Sequence, residues 1–202
     1  MRQADLFLHS EGDAWLNRNR EKLGVSGDPV AHMIDHVGIK PTRVLEIGCS
    51  NGWRLAALRD KYRCEVFGVE PSMLACIEAA DKRVPVWQMT ASTLPEIGPK
   101  FDLIIYGFCL YLTDPSDWFN IAAAGDHALA PGGYLIIHDF GDEGETFARR
   151  YEHCDGAFSY HVDFAKLWLA HPLYAPVSRS IQGDEMVTVM KKLSVASIRV
   201  QP

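Results

Sequence analysis

A carboxylate and a short glycine-containing turn stand together in the stretch RVLEIGCSNGWRL, residues 43 to 55. An apolar run ends at Glu46, and small residues follow at alternate positions, Gly48, Ser50 and Gly52. Glycines allow a sharp turn and let a ligand approach the backbone closely. The backbone N–H groups at the start of a following helix then face that ligand. The stretch therefore predicts a strand, a ligand-binding turn and a helix.

A second carboxylate indicates which ligand this turn accepts. Glu70 ends the next apolar run, EVFGVE, where a carboxylate can accept both hydroxyl groups of a ribose. The turn lacks the G-x-G-x-x-G spacing of a dinucleotide site, because Trp53 stands at the place of its last glycine. Glu46 would repel a pyrophosphate and attract a positive charge. These residues favour a nucleoside that carries a cation.

Elements that could position these groups follow from hydrophobic patterning. Nearly continuous apolar runs alternate with helix-like stretches, which is typical of a parallel sheet covered on both faces. The predicted strands are 44–47, 65–70, 84–88, 101–108 and 133–140, and the predicted helices between them are 52–62, 71–82 and 114–129. Two further runs around 183–184 predict an antiparallel hairpin. We therefore predict an α/β fold with a doubly wound, mostly parallel seven-stranded sheet, helices on both faces and a C-terminal antiparallel hairpin. Ligands bind such sheets at the carboxyl ends of their strands.

Composition limits the possible partners. The chain has 202 residues and a formal net charge of -6, without the basic excess that is typical of nucleic-acid binding. Its five cysteines form no CxxC pair, so we expect neither a zinc site nor a redox dithiol, and we expect a reducing, cytoplasmic compartment. No signal peptide or membrane span is predicted. The sequence does not define an oligomeric state.

Four motifs in a fixed order resemble those of class I S-adenosylmethionine-dependent methyltransferases over roughly residues 40 to 140. VLEIGCSNG resembles the first motif, E/D-x-G-x-G-x-G, with Ser50 in place of the middle glycine. VFGVEPS resembles the second-strand motif with its acidic ribose ligand, FDLIIYGFCLYL the fourth-strand motif, and LAPGGYLIIHDF the motif of the fifth strand. The resemblance implies the Rossmann-like methyltransferase fold, S-adenosylmethionine as the cofactor, and methyl transfer to a small molecule.

The resemblance also implies a set of cofactor contacts, which come from these motifs and from the loop after the third strand. They are Glu46 near the amino group, Gly48, Cys49, Ser50 and Gly52 along the methionine, Glu70 on the ribose, Pro71, Ser72 and Met73 on the adenine face, Thr90, Ala91 and Ser92 at the adenine edge, and Tyr106, Gly107 and Phe108 beside the sulfonium. The family commonly has an acidic residue at the adenine edge. In this chain a hydroxyl or a backbone N–H must replace it.

A proton acceptor is expected at the end of the fifth strand. His138 and Asp139 lie there, but adjacent strand residues point to opposite faces and so do not serve the same role; we predict His138 as the base or as the group that orients the acceptor. A histidine bonded to neighbouring backbone is the alternative. The histidines show no tight metal-ligand spacing, and a lone pair at His32 and His36 is typical of a helix surface, so we predict no metal.

The irregular parts of the chain are expected to select the acceptor. We predict an N-terminal helical arm or lid (1–40), a cofactor-binding core (41–140), and a substrate loop, helix and closing hairpin (141–202). Within the loop 141–163, Arg149 and Arg150 could bind an anion or lie exposed on an amphipathic helix. The candidate acceptor contacts are Trp15, Arg18, Tyr111, Asp139, Arg149, Tyr160 and His161. Ser10 and Asp13 predict a capping box within the arm.

The expected acceptor is a small polar molecule, with a sugar or another biosynthetic intermediate as the first choice. Two alternatives from other functional classes remain. A non-catalytic S-adenosylmethionine-binding scaffold would bind the cofactor without turnover. A NAD-dependent oxidoreductase would bind NAD and not S-adenosylmethionine.

Overall fold

The computed structural model describes residues 2–25, 27–93, 100–141 and 144–197. Its helices are α1 (Gln3–Leu6), α2 (Gly12–Asn19), α3 (Pro29–Val37), α4 (Trp53–Tyr62), α5 (Met73–Asp81), α6 (Trp118–Ala128) and α7 (Lys166–Leu169), with a π-helical segment at Phe7–Glu11. Its strands are β1 (Arg43–Ile47), β2 (Glu65–Glu70), β3 (Val86–Gln88), β4 (Phe101–Gly107), β5 (Leu129–Phe140), β6 (Phe147–Arg150), β7 (Phe158–His161), β8 (Tyr174–Gln182) and β9 (Glu185–Lys192). Short 3₁₀ turns lie at Arg20–Lys22, Ala91–Thr93, Leu110–Leu112, Pro115–Asp117 and Val195–Ser197.

The predicted sheet is confirmed. Seven strands pair in the order β3-β2-β1-β4-β5-β9-β8. The first five are mutually parallel, whereas β9 runs antiparallel to both β5 and β8. The order reverses between β1 and β4, which places a ligand crevice at the carboxyl ends of these two strands.

Helices cover the sheet on both faces. One core packs Val44, Leu103 and Ile136 of the sheet against α3, α4 and α5. The other packs alternate residues of the same strands, such as Leu45 and Ile137, against α6 and α7. Because successive strand residues point to opposite faces, even-numbered positions of β1 and β5 face α3 and α4. This parity decides where the polar residues at the strand ends point.

Two local predictions were wrong. The segment after β5 contains a two-stranded antiparallel hairpin, β6–β7, so Arg149 and Arg150 lie on a strand and not on a helix. Ser10 lies inside the continuous helical arm, where its hydroxyl donates to the Leu6 carbonyl at 3.4 Å, and forms no cap. Asp13 instead accepts from the Ser72 hydroxyl at 2.6 Å at the start of α5. Within the described residues, no helix has the length and apolar character needed to cross a membrane.

Candidate active site

The glycine-containing turn forms the floor of a cavity at the carboxyl ends of β1 and β4. Gly48 and Ser50 both have positive φ angles, 75° and 48°, and both line the cavity. A Cβ atom at Gly48 would lie 2.5 Å from the Cβ of Cys109, so the turn could not accept a larger residue there. The backbone of the turn is therefore held directly against the cavity.

Glu70 fixes this turn to the start of α5. Its Oε2 accepts from the Ser50 N–H at 2.8 Å, and its Oε1 accepts from the Ser72 N–H at 2.9 Å. Burial raises the pKa of Glu70 to about 7, although both backbone N–H groups act in the opposite direction. The carboxylate also lines the cavity, where it can accept the hydroxyl groups of a ribose.

The cavity has a mixed polar and apolar wall with an acidic side. Many of the predicted cofactor contacts line it, namely Gly48, Ser50, Glu70, Pro71, Thr90, Ala91, Ser92, Gly107 and Phe108. The other lining residues are Ala4, Phe7, Gly12 and Trp15 of the arm, Ile47 and Val69 at strand ends, Met89, and Cys109, Leu112, Thr113, Asp114 and Asp117 after β4.

An orphaned polar atom tests whether these residues fit a nucleoside cofactor. The Ser50 hydroxyl is buried and has no hydrogen-bond partner within the described structure, and Ser50 is one of the residues that line the cavity. Buried polar groups are normally hydrogen-bonded. A ligand with polar atoms next to the turn would satisfy this hydroxyl, so the residues present fit the cofactor that the motifs imply.

Glu46 does not face this cavity. It is 1% exposed and forms a buried ion pair with Nη1 of Arg54, whose Nε donates to Asp28 at 2.9 Å. A Cβ atom at Gly107 would lie 2.7 Å from Glu46 Oε1, so the carboxylate lies behind Gly107 on the α4 side of the sheet. Glu46 was expected near the cofactor amino group through a water molecule, which stays a prediction, and Arg54 offsets its negative charge.

Several other predicted contacts support the cavity without lining it. Cys49 points beneath the turn toward Gly68, and Gly52 packs close to Ala79 and Val84. Ser72 caps α5 by accepting from the Ala75 N–H at 3.0 Å. Two more lie outside the cavity wall, Met73, which is 50% exposed, and Tyr106, which is buried against Trp168 of α7.

The N-terminal arm closes the cavity and is attached at several points. Gln3 is buried, and its amide donates to the Leu112 carbonyl at 2.7 Å and accepts from the Phe158 N–H at 2.6 Å. At Gly12 the arm packs so closely on α5 that a Cβ atom would lie 3.1 Å from the Ser72 nitrogen. These contacts position Phe7 and Trp15 over the cavity.

A second cavity, of about 330 Å³, adjoins the first. Trp15 lines both cavities, so the two lie beside the same indole ring of the arm. The other lining residues come from the arm, the turn after β4, the β6–β7 hairpin and the β8–β9 turn, namely Asn19, Tyr111, Phe140, Arg149, Arg150, Tyr151, Glu152, His153, Ser159, His161 and Asp184. This volume lies within the range of small-molecule sites, about 300–1,000 Å³.

His138 lies outside both cavities, which contradicts its expected position as a base. Its side chain follows the parity of Ile136 and is 3% exposed. Nε2 lies 3.3 Å from Glu185, and the ring lies 4.1 Å from the ring of Phe108. Burial, with a smaller contribution from the positive charge of Arg54, lowers the pKa of His138 to about 4. Phe108 thus separates the imidazole from the cavity.

Three candidate acceptor contacts have structural partners. Asp139 accepts from the Leu110 N–H at 2.8 Å and so caps the turn after β4. Arg18 pairs with Glu11, and Tyr160 packs its ring against Trp118 at 5.6 Å. Neither Asp139, Arg18 nor Tyr160 lines a cavity, whereas Trp15, Tyr111, Arg149 and His161 do.

Three arm residues other than the expected Trp15, namely Ala4, Phe7 and Gly12, and the segment after β4 line the first cavity without having been predicted from the sequence. Asp114 and Asp117 line the first cavity and also bind the arm, through the Gln3 N–H at 2.9 Å and through Arg2. The signal was present, because these carboxylates follow the carboxyl end of a predicted strand. Among the described residues, no group of three or more His, Cys, Asp and Glu side chains is arranged to hold a metal ion.

The sheet order, the glycine-containing turn and the acidic end of β2 define the class I methyltransferase fold. Residues 44–133 match the sequence profile of the family described as "Methyltransferase domain". No curated protein sequence matches the chain.

Solved structures agree with this assignment. The chain is 20% identical, with a TM-score of 0.70, to Burkholderia thailandensis 1,6-didemethyltoxoflavin-N1-methyltransferase with bound 1,6-didemethyltoxoflavin and S-adenosylhomocysteine, over 95% of this chain and 87% of that chain. It is 12% identical to an S-adenosylmethionine-dependent methyltransferase from Mesorhizobium loti, with a TM-score of 0.69 over 84% of this chain and 100% of that chain. It is 15% identical to the glycopeptide N-methyltransferase MtfA complexed with sinefungin, with a TM-score of 0.60 over 81% of this chain and 92% of that chain. At these identities the likeness shows the fold.

Residues 44–133 thus match a methyltransferase-domain family, and the chain has the fold of class I S-adenosylmethionine-dependent methyltransferases. S-adenosylmethionine is the cofactor of this family.

Proposed function

We propose that the protein transfers a methyl group from S-adenosylmethionine, bound in the first cavity, to a small polar molecule bound in the second. The observation that carries the proposal is the shared wall at Trp15, because it brings a nucleoside cavity and an acceptor cavity into contact. A methyl transfer requires the acceptor atom, the methyl carbon and the sulfur in line, and two adjoining cavities can hold both reactants in that arrangement.

The first cavity supports cofactor binding through three kinds of contact. Glu70 accepts the ribose hydroxyls, and the backbone and hydroxyl of Ser50 hold the amino-acid tail. Pro71 and the turn Ala91–Thr93 border the adenine. The carboxylates of Asp114 and Asp117 favour a cationic ligand over a pyrophosphate.

The bound cofactor supplies an electrophilic methyl group with a neutral thioether as the leaving group. The residues of the chain therefore need only to position the acceptor, exclude water and receive a proton. The arm excludes water, since Phe7 and Trp15 cover the first cavity. The acceptor enters beside Tyr111 and the β6–β7 hairpin, and a sugar or another biosynthetic intermediate remains the candidate class.

Parallel calorimetric titrations with S-adenosylmethionine, S-adenosylhomocysteine and NAD test the cofactor assignment. We expect both sulfur compounds to bind and NAD to give no heat. NAD binding alone would instead support an oxidoreductase and would refute the proposal.

Turnover separates an enzyme from a scaffold. Incubation with S-adenosylmethionine labelled in the methyl group, together with a fractionated metabolite extract, should yield a labelled small molecule. Cofactor binding without any labelled product would favour the non-catalytic scaffold.

A further inference from the structure

Aromatic rings form a continuous wall from the first cavity into the second. Phe108 borders the first cavity and lies 5.0 Å, between ring centroids, from Phe140. Phe140 lies 5.0 Å from Tyr111 and 5.1 Å from His161, to which it is nearly parallel at 22°. Rings at these separations attract one another beyond the area that they bury. The rings are tilted, by 59° between Phe108 and Phe140 and by 89° between Phe140 and Tyr111, so an aromatic ligand ring can add edge-to-face contacts to them.

His161 is held with its ring plane fixed. Its imidazole lies between Phe140 and Phe147, whose ring centroid is 4.5 Å away at an interplanar angle of 15°. Nε2 lies 3.1 Å from the Ser159 hydroxyl on the same face of the hairpin. Nδ1 has no hydrogen-bond partner among the described residues, and the side chain lines the second cavity. In the tautomer in which Nε2–H donates to the Ser159 hydroxyl, Nδ1 is the nitrogen that can accept a proton.

The surroundings of His161 favour its neutral form. Burial lowers its pKa, and the positive charge of Arg149 on β6 lowers it further, whereas Asp184 in the β8–β9 turn acts in the opposite direction. The other groups that pack against the imidazole, Phe140 and Phe147, carry no charge. A neutral imidazole can take a proton near neutral pH.

The charges that line the second cavity balance. Arg149 and Arg150 are offset by Glu152 and Asp184, so the lining does not select an ion by net charge. Shape and hydrogen bonding must then select the ligand.

We propose that the second cavity binds a planar aromatic or heteroaromatic acceptor with an ionisable O–H or N–H, and that His161 takes this proton. The inference rests on the proposed methyl transfer. As a lone pair of the acceptor oxygen or nitrogen forms the bond to the methyl carbon, the carbon–sulfur bond breaks. Its electron pair remains on sulfur, which leaves as the neutral thioether. The acceptor proton moves to Nδ1 of His161, from which solvent removes it.

Small probes test the two halves of this inference on the protein loaded with S-adenosylhomocysteine. Phenol and cyclohexanol share a six-membered ring and a hydroxyl but differ in planarity, so their affinities, measured by ligand-observed NMR, test the aromatic wall. 4-Nitrophenol tests the proton transfer, because its anion is coloured. Its ionisation is read at a pH one unit below its own pKa.

Three variants accompany the probes. Phe140→Leu should weaken phenol about two- to tenfold and leave cyclohexanol unchanged. His161→Gln should abolish the ionisation of bound 4-nitrophenol and keep the affinity for 4-nitroanisole, which has no proton to give, within about twofold. His36 is an exposed histidine on α3, so His36→Gln is the matched control. It should change neither the affinity for the ring probes nor the ionisation of bound 4-nitrophenol.

Each outcome decides one point. Equal binding of phenol and cyclohexanol would overturn the planar acceptor, and unchanged ionisation in His161→Gln would overturn the proton transfer. If S-adenosylhomocysteine itself fails to bind, the proposed function fails. If it binds and none of the ring probes does, only the present inference fails.

Discussion

Replacement of Glu70 by glutamine tests the cofactor site most directly. The carboxylate accepts from the Ser50 N–H at 2.8 Å and from the Ser72 N–H at 2.9 Å, and it lines the first cavity. In Glu70→Gln one oxygen becomes an NH₂ group, so one charge-assisted bond to the ribose is lost. A hydrogen bond to a charged group contributes about 1.5–3 kcal/mol, which corresponds to about a 10- to 150-fold loss of affinity.

The same change should reduce stability, because the new NH₂ group faces a backbone N–H donor. One unsatisfied buried donor costs about 1–3 kcal/mol. Glu65→Gln is the matched control, since Glu65 begins the same strand and is exposed, with Arg43 at 2.6 Å. That surface pair should contribute only about 0–1 kcal/mol. Urea denaturation measures the stability of each variant, and calorimetry with S-adenosylmethionine measures the affinity.

The pH dependence separates a ribose contact from a purely structural role. Burial raises the pKa of Glu70 to about 7. Ribose hydroxyls donate to the ionised carboxylate, so binding should lower this pKa and release a proton near pH 7. Affinity should therefore fall as the pH falls below about 7, by at most about tenfold per unit. In Glu70→Gln, the affinity for S-adenosylmethionine should no longer show this dependence on pH. Parent-like affinity, or an unchanged pH profile in the variant, would refute the ribose assignment.

Three further changes probe the structure around the site. His138→Gln should alter turnover by less than about tenfold, against the hundredfold or more expected for a lost base, because the imidazole lies outside both cavities; steady-state kinetics measures this. Gly12→Ala should distort the arm, since the new Cβ would lie 2.6 Å from the Phe7 carbonyl oxygen and 3.1 Å from the Ser72 nitrogen, and should cost about 1–3 kcal/mol with faster hydrogen exchange in the arm. Arg54→Met should cost about 3–5 kcal/mol in denaturant unfolding, because it leaves the buried carboxylate of Glu46 without its partner, whereas Arg54→Lys should cost less.

The cofactor-binding core could be predicted because the residues that define it lie close together in the sequence. The turn from Gly48 to Gly52 and the acidic end of β2 occur within short stretches whose hydrophobic period also defines the strands. Parallel pairing then brings Glu46 and Gly68 into register without any further information. The fold and the first cavity follow from these patterns.

The arm was expected, but the contacts that anchor it could not be predicted, because they join distant parts of the chain. Gln3 bonds to Phe158 and to Leu112, and nothing near Gln3 in the sequence indicates either partner. Asp13 was interpreted as part of a local cap but caps α5 instead, since its partners come from β2–α5. Such contacts depend on tertiary packing, which overrides local preference.

The position of the proton acceptor illustrates a different limit. The sequence placed His138 and Asp139 at the correct strand end, and strand geometry showed that they face opposite ways. Local pattern did not show that Asp139 would cap the turn at Leu110, or that His138 would lie behind Phe108. The hairpin that presents His161 had no recognisable strand pattern among its polar and aromatic residues.

The charges of the first cavity connect cofactor binding with the docking of the arm. Asp117 pairs with Arg2, and Asp114 accepts from the Gln3 N–H, so the arm partly offsets two carboxylates when it closes. In the proposed site the sulfonium adds a positive charge to this acidic wall and lies near the rings of Trp15 and other aromatic residues, which also favour a cation. Methyl transfer removes that charge, because the product is a neutral thioether. The electrostatic attraction that helps to draw the cofactor in is therefore absent from the product, and this favours its release once the reaction is complete.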